Sequence, residues 1–176
     1  MSEIPVLHGS TKKERYESLV TAFYQDLFRY AIWLCKNHAL AEDLVQETFL
    51  RAWRSLDSLL NDKAAKAWLF TILRRENARL YERYRPELVD IDGQSIADSD
   101  EQEPEFKMDR ELLVNAIKRL EADYREPLLL QVVGGFSGKE IAEILELNNN
   151  TVMTRLFRAR AKLKTEFGLD SEEAND

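Results

Sequence analysis

The sequence predicts an all-α protein: two small helical domains joined by a flexible acidic linker, the second ending in a helix-turn-helix. Three observations lead there. Apolar residues recur at steps of three and four along most of the chain, with no strand-like alternation, internal repeat or glycine-rich phosphate loop. Leu88 to Phe106 breaks that rhythm; it is rich in Asp and Glu, holds no Lys or Arg, and contains Pro104, which is the composition of a linker. Ser137 to Lys164, SGKEIAEILELNNNTVMTRLFRARAKLK, reads as a short capped helix, a turn and a basic helix.

Taken in order, Met1 to Ser10 is expected to be a loose tail. A helix starts near Lys12, with Leu19, Phe23, Leu27, Tyr30, Ala31 and Leu34 on its core side, and Asn37 and His38 mark a turn. A second helix runs from about Ala39 to Leu56, burying Ala41, Leu44, Val45, Ala52, Trp53 and Leu56. Its other side carries Asp43, Glu47, Leu50 and Arg54, with Gln46 and Arg51 at the margins, a mixed acidic and apolar surface. Leu59 to Ala65 forms a loop with Asn61 and Asp62. A third helix spans Lys66 to about Arg85, with Leu69, Leu73, Leu80 and Tyr84 inward; Trp68, Thr71, Arg74, Arg75 and Ala78 lie outward or at the edge, and Pro86 ends it. After the linker, a helix near Lys107 carries Leu112, Leu113, Ala116, Ile117 and Leu120. Another, Asp123 to Val133, buries Leu128, Leu129, Val132 and Val133 and stops at Gly134 and Gly135.

In the last stretch, Ser137 and Glu140 have the spacing of a capping box, in which each side chain accepts a free backbone amide from the other's turn. Ile141, Ile144 and Leu145 share a face, and Asn148, Asn149 and Asn150 are expected to make the turn, with Asn149 or Asn150 capping a helix that restarts near Thr151. Val152, Leu156, Ala159 and Leu163 form its buried stripe. At 100° per residue, Asn150, Thr154, Phe157, Arg158 and Ala161 point away from it. Arg155 and Lys162 flank that face on one side, Arg160 and Lys164 on the other, and no acid interrupts Asn150 to Lys164. Central residues of such a helix reach base edges in a major groove while flanking cations reach phosphates.

Charge and composition narrow the function classes. The net charge of -7 is unevenly placed: Lys63 to Arg85 and the last helix are basic, while Pro86 to Glu105 is acidic wherever it is charged. Basic working faces within an acidic whole suit a DNA binder with weak sequence-independent affinity. The single cysteine, Cys35, excludes an intramolecular disulfide; with only two His and no second Cys, a four-ligand metal site is not expected and Cys35 reads as a core residue. No cofactor is implied. The start MSEIPVLHGSTKKE lacks an apolar core and the longest apolar runs are too short to span a bilayer, which points to a cytoplasmic protein without membrane insertion. No paired carboxylates or nucleophile–base set suggests an enzyme. A helix-turn-helix repressor or activator controlled by a ligand or by phosphorylation would need a sensor pocket or receiver domain, and neither is visible; a purely structural helical module would not bind DNA.

Three consecutive motifs resemble the extracytoplasmic-function (ECF) sigma factors of the sigma-70 superfamily. AEDLVQETFLRAW (Ala41 to Trp53) is similar to that family's core-polymerase-binding helix, KAAKAWLFTILRRENARLYER (Lys63 to Arg83) to its −10 segment, and Arg119 to Leu163 to its −35-binding domain. The resemblance implies a non-enzymatic initiation factor that binds core RNA polymerase, directs it to promoter DNA and helps open the −10 element. It implies sigma region 2 over residues 12–87, an acidic connector over 88–106 and sigma region 4 over 107–168. Asp43, Gln46, Glu47, Leu50 and Arg54 would dock on the polymerase. Asn61, Asp62 and Lys63 would capture an extruded −10 base; Arg74, Arg75 and Arg79 would hold the opened strand near Thr71, and Trp68 would either stack on a base or serve as a core or edge aromatic. Asn150, Thr151, Met153, Thr154, Arg155, Phe157, Arg158, Arg160 and Lys162 would meet the −35 element. Two features depart from the family pattern: Asn148 to Asn150 replace the usual Pro-x-Gly turn, and Met153 stands where a cation is common. An anti-sigma protein held between the two domains is the further partner the resemblance implies.

Overall fold

The computed structural model describes residues 11–84 and 104–168, the side chains of 84 and 104–108 excepted, and the chain divides into two compact units, 1–96 and 97–176. Every regular element among the described residues is helical. The expected tail (Met1 to Ser10), Arg85 and Pro86, and the linker as far as residue 103 lie outside the described residues, as does the side chain of Tyr84.

In the first unit, helix α1 (Lys12–Cys35) begins at a Thr11–Glu14 capping box and ends at Lys36 in left-handed geometry. Helix α2 (His38–Ser55) is capped by Asn37, whose side chain accepts from the Leu40 amide. Two short 3₁₀ turns, Leu56–Ser58 and Asp62–Ala64, lead into α3 (Ala65–Tyr84). The core joins Leu19, Phe23, Leu27, Tyr30 and Ala31 of α1 to Ala41, Leu44, Val45, Phe49 and Ala52 of α2 and Leu69, Phe70 and Leu73 of α3. Burying each large apolar side chain contributes about 1.5–3 kcal/mol, so this three-helix contact is what holds the unit's surface residues in register.

Three inward assignments need correction. Trp53 is 38% exposed rather than buried, lying edge-on to Tyr16 with Lys12 over its ring, while Thr48 and Phe49 take the core positions. Thr48 can do so because its hydroxyl donates to the Leu44 carbonyl at 2.7 Å, leaving no buried polar atom unmet. Leu34 and Leu80 are only half-buried.

In the second unit, α4 (Pro104–Arg119) starts inside the segment expected to be linker; proline suits a first helical position because its missing N–H would have no partner there. Helix α5 (Ala122–Val132) follows a turn that Arg125 closes, its Nη1 donating to the Lys118 and Leu120 carbonyls at 3.0 and 3.4 Å. Leu128, Leu129 and Leu130 are buried, but Val132 is 66% exposed and Val133 half-buried, so the inward stripe sits earlier on the helix than expected. At Gly134 a Cβ would come within 2.6 Å of both the Leu130 carbonyl and the Phe136 ring, which is why the chain can turn there only with glycine. Helices α6 (Gly138–Leu145) and α7 (Asn149–Glu166) complete the unit.

Candidate nucleic-acid interface

Helices α6 and α7 form the helix-turn-helix. The Ser137–Glu140 capping box is present in both directions, with the Glu140 amide 3.3 Å from Ser137 Oγ and the Ser137 amide 2.8 Å from Glu140 Oε2. The turn differs from the expected one. Glu146, not an asparagine, takes the left-handed conformation (φ 55°), and Asn148 is the cap: its Oδ1 accepts from the Thr151 amide at 2.8 Å and the Thr151 hydroxyl at 2.9 Å. Asn149 and Asn150 therefore already belong to α7. Val152, Leu156 and Ala159 are fully buried, Leu163 half-buried, and packing of that stripe fixes which side of α7 faces solvent.

That outer side is as expected. Asn150, Thr154, Phe157, Arg158 and Ala161 are exposed, with Phe157 at 74%. Asn150, Thr154 and Arg158 line an open groove shared with Asn148, Thr151, Arg155 and the α5 residues Asp123 and Tyr124. Met153 is 49% exposed and lies over the start of α6, its Sδ 2.7 Å from where a Cβ on Gly138 would be.

The flanking cations are less free than their sequence suggests. Arg155 Nη2 lies 3.5 Å from Asp123 Oδ2; Lys162 Nζ lies 2.9 Å from Glu121 Oε1 and 4.8 Å from the centroid of the Tyr124 ring. Arg160 Nη1 approaches Gln131 Oε1 at 3.4 Å. The start of α5 thus lays two acids along one edge of the basic helix. Those acids stand about thirty to forty residues before their partners, and no spacing rule along the chain would have found them.

In the first unit, Asp43, Gln46, Leu50 and Arg54 are exposed and Glu47 is half-buried, together forming one stripe along the outside of α2. Glu47 accepts from Arg51 Nε at 3.0 Å, and the same Nε lies 3.4 Å from Glu76 of α3. Glu76 is 6% exposed and also pairs with Arg79 Nη1 at 2.8 Å. Glu76 is thus a buried acid joining α2 to α3, which the sequence alone does not reveal. Arg75 is exposed and Arg74 half-buried; Trp68 is half-buried, and the Thr71 hydroxyl turns back to the Ala67 carbonyl at 2.8 Å.

The loop before α3 is anchored. Asn61 is exposed, and its Oδ1 accepts from the Lys63 amide at 3.0 Å, while Lys63 itself points to solvent. Asp62 Oδ1 is engaged by Arg15, at 3.1 Å from Nε and 2.7 Å from Nη2. Cys35, expected in the core, is only half-buried; burial still pushes its thiol up to about 11, and Asn77 Oδ1 accepts from its sulfur at 3.9 Å.

A separate helical unit carrying a basic helix-turn-helix defines a class of DNA-binding protein, and comparison with known proteins narrows it. The chain matches Sigma-70 region 2 over residues 19–87 and Sigma-70, region 4 over residues 110–163. It is 36% identical over 156 residues to the ECF RNA polymerase sigma factor EcfG of Rhodopseudomonas palustris, a match covering 88% of this chain and 86% of that protein. It is 30% identical over 152 residues to the ECF sigma factor SigM of Bacillus subtilis, covering 84% and 92%. Among solved structures, the sigma factor RpoE of Bartonella quintana, crystallised with the anti-sigma factor NepR, matches with a TM-score of 0.69 at 34% identity over 91% of this chain and 99% of that one. CnrH, in complex with the cytosolic domain of CnrY, gives 0.65 at 26% identity over 93% and 92%.

The chain belongs to the ECF RNA polymerase sigma factors. It is a transcription initiation factor that directs RNA polymerase to promoters.

Proposed function

We propose how the work of initiation divides among the residues. Residues 12–87 serve core polymerase and the −10 element, residues 107–168 serve the −35 element, and the connector between them ends at the first turn of α4. The stripe of Asp43, Gln46, Glu47, Leu50 and Arg54 docks on the polymerase: an apolar Leu50 within a charged rim is a workable interface. The loop around Asn61, Asp62 and Lys63 receives an extruded −10 base, with Trp68 at its edge and Thr71, Arg74, Arg75 and Arg79 along the opened strand, and so aids opening. Helix α7 reads the −35 element through Asn150, Thr151, Met153, Thr154, Phe157 and Arg158, with Arg155, Arg160 and Lys162 toward phosphates.

The observation that carries this reading is the exposed line of Asn150, Thr154, Phe157 and Arg158 on α7, opposite a fully buried Val152–Leu156–Ala159 stripe. Run-off transcription with purified core polymerase on a genomic promoter library tests it. Promoter-specific transcripts should depend on this chain and fall when Asp43 and Glu47 are both reversed to Lys. DNA binding without polymerase-dependent transcripts would instead mark a regulator acting on its own.

An anti-sigma protein is the proposed regulatory partner, acting with it in the cytoplasm. RpoE is recorded with such a protein and CnrH with the cytosolic domain of CnrY. Each unit here leaves apolar side chains exposed that a partner would cover: Leu40, Leu50 and Trp53 in the first, Leu112, Leu113 and Val132 in the second. A pull-down that recovers polymerase subunits alone, in resting and stressed cells, would count against it.

A further inference from the structure

The first turn of α1 grips the loop that leads into α3. The Thr11 capping box fixes where α1 begins, and the i, i+3 spacing puts Lys12 and Arg15 on one side of it. Lys12 Nζ lies 3.1 Å from Asp57 Oδ2 and 4.9 Å from the centroid of the Trp53 ring. Arg15 reaches further. Its Nη1 donates to the Leu56 carbonyl at 3.4 Å, its Nη2 to the Leu59 carbonyl, and its Nε and Nη2 to Asp62 Oδ1 at 3.1 and 2.7 Å. One guanidinium therefore ties both ends of the Leu56–Asp62 segment to a helix more than forty residues earlier. The Arg15 and Asp62 side chains are only 21% and 22% exposed, so the pair is partly shielded from salt. The far rim of the same segment is open: Leu60 is 94% exposed, and Asn61 is exposed.

We infer that Arg15 is a positioning residue for −10 recognition: it holds the Leu56–Asp62 loop in the one shape from which Asn61 can read a base. The inference rests on the reading that this loop meets an extruded −10 base. Its own content is that the base preference depends on a residue preceding residue 19, where the match to Sigma-70 region 2 begins. A surface loop without an anchor spreads over many backbone conformations, and ordering it at the moment of binding erodes discrimination. A planar fork with five fixed donors can serve two carbonyls and a carboxylate together; an ammonium of the same charge cannot keep that geometry. Asp62 is then the loop's anchor point, and Asn61 the group that faces the base.

The test uses the full chain reconstituted with core RNA polymerase, transcribing a template pool randomised across the −10 element, with transcripts sequenced. Variants are Asn61→Ala, Arg15→Lys and, as a control elsewhere on the same turn, Lys13→Ala. Melting temperature and affinity for core polymerase are measured for each. Asn61→Ala and Arg15→Lys should flatten preference at the same promoter position by about tenfold, the scale expected when a recognising group is displaced by a fraction of an ångström. Affinity for core polymerase should be unchanged, and Lys13→Ala should match the parent throughout. If Asn61→Ala flattens the preference and Arg15→Lys does not, the positioning role is wrong and the base-reading loop stands, even where Arg15→Lys lowers the melting temperature. If neither variant changes the preference, the loop reading itself fails and takes the inference with it. Should Arg15→Lys not fold, Arg15→Gln, which keeps a donor on a shorter stem and loses the fork, is scored by the same outcomes.

Discussion

Arg158 and Lys162 carry the same charge one helical turn apart, and their surroundings give them different work. Arg158 is exposed in the groove with Asn150 and Thr154, whereas Lys162 is held between Glu121 and the Tyr124 ring. A guanidinium on the centre line can make a bidentate bond to guanine, worth about 1–3 kcal/mol of discrimination. Arg158→Ala should therefore weaken −35 binding and flatten preference at one or two base pairs, as read from binding to a randomised −35 duplex. Lys162→Ala should weaken all sequences alike. Equal, uniform losses for both would make this face a general phosphate-binding surface. Cys35 gives a prediction of another kind. With its thiol pushed from 9.0 to about 11 by burial, roughly one in ten thousand copies is a thiolate at pH 7. Alkylation of the native protein should be slow at that pH and much faster in denaturant. The sign of the linked stability follows: between the unfolded and folded values the unfolded thiol has released its proton while the native one keeps it. Stability is thus unaffected by this group below pH 9 and declines as pH rises toward 11.

The turn between α6 and α7 shows what can and cannot be read at the scale of an element. Glu146 sits at φ 55°, a geometry that costs a residue with a Cβ roughly 1–2 kcal/mol. Glu146→Gly should raise the unfolding free energy by about 1 kcal/mol in chemical denaturation of the full chain, with DNA preference intact; a loss of stability would mean that the Glu146 side chain contributes more than its backbone costs. The existence of both helices, the capping box and the buried Val152–Leu156–Ala159 stripe were legible because each is a relation between residues within about four positions. Three consecutive asparagines suggested the turn, yet which residue turns left-handed depends on how far α6 runs before α7 packs on it. The same limit explains Trp53 and Val132, apolar residues assigned inward that lie at the surface. Periodicity gives a face, but the width of the buried arc is set by neighbouring helices. Glu76 is the inverse case: an acid in a basic stretch, buried because Arg51 arrives from α2.

For the whole molecule, the net charge of -7 coexists with the proposed DNA-binding face, and the second unit shows one way the two are reconciled. Glu121 and Asp123 occupy Lys162 and Arg155, so a phosphate must displace an acid before it can use either cation. Each exposed pair is worth only about 0–1 kcal/mol, but the competition applies to every sequence equally. The double substitution Glu121→Gln, Asp123→Asn should raise affinity for non-promoter DNA and steepen the salt dependence by up to about 2 in log–log slope, with the preferred −35 sequence unchanged; titrations at several salt concentrations decide it. The sequence disclosed the two units and their basic faces because those rest on local periodicity and composition. It concealed the acids that pair with one face and the arginine that anchors the loop before α3, because both act across long stretches of chain.

The Arg15 anchor also bears on how portable this protein's parts are. An exchange cut at residue 19, where the match to Sigma-70 region 2 begins, leaves the fork behind. A graft made there would carry the proposed polymerase-docking stripe whole and the loop residues letter for letter, yet deliver the loop unfastened. If Arg15 has the role proposed for it, the transplant should assemble with polymerase and lose about tenfold of the donor's preference at the −10 position that Asn61 reads. Moving the cut back to Thr11, so that the capping box and Arg15 travel with the loop, should restore the donor's choice of promoter.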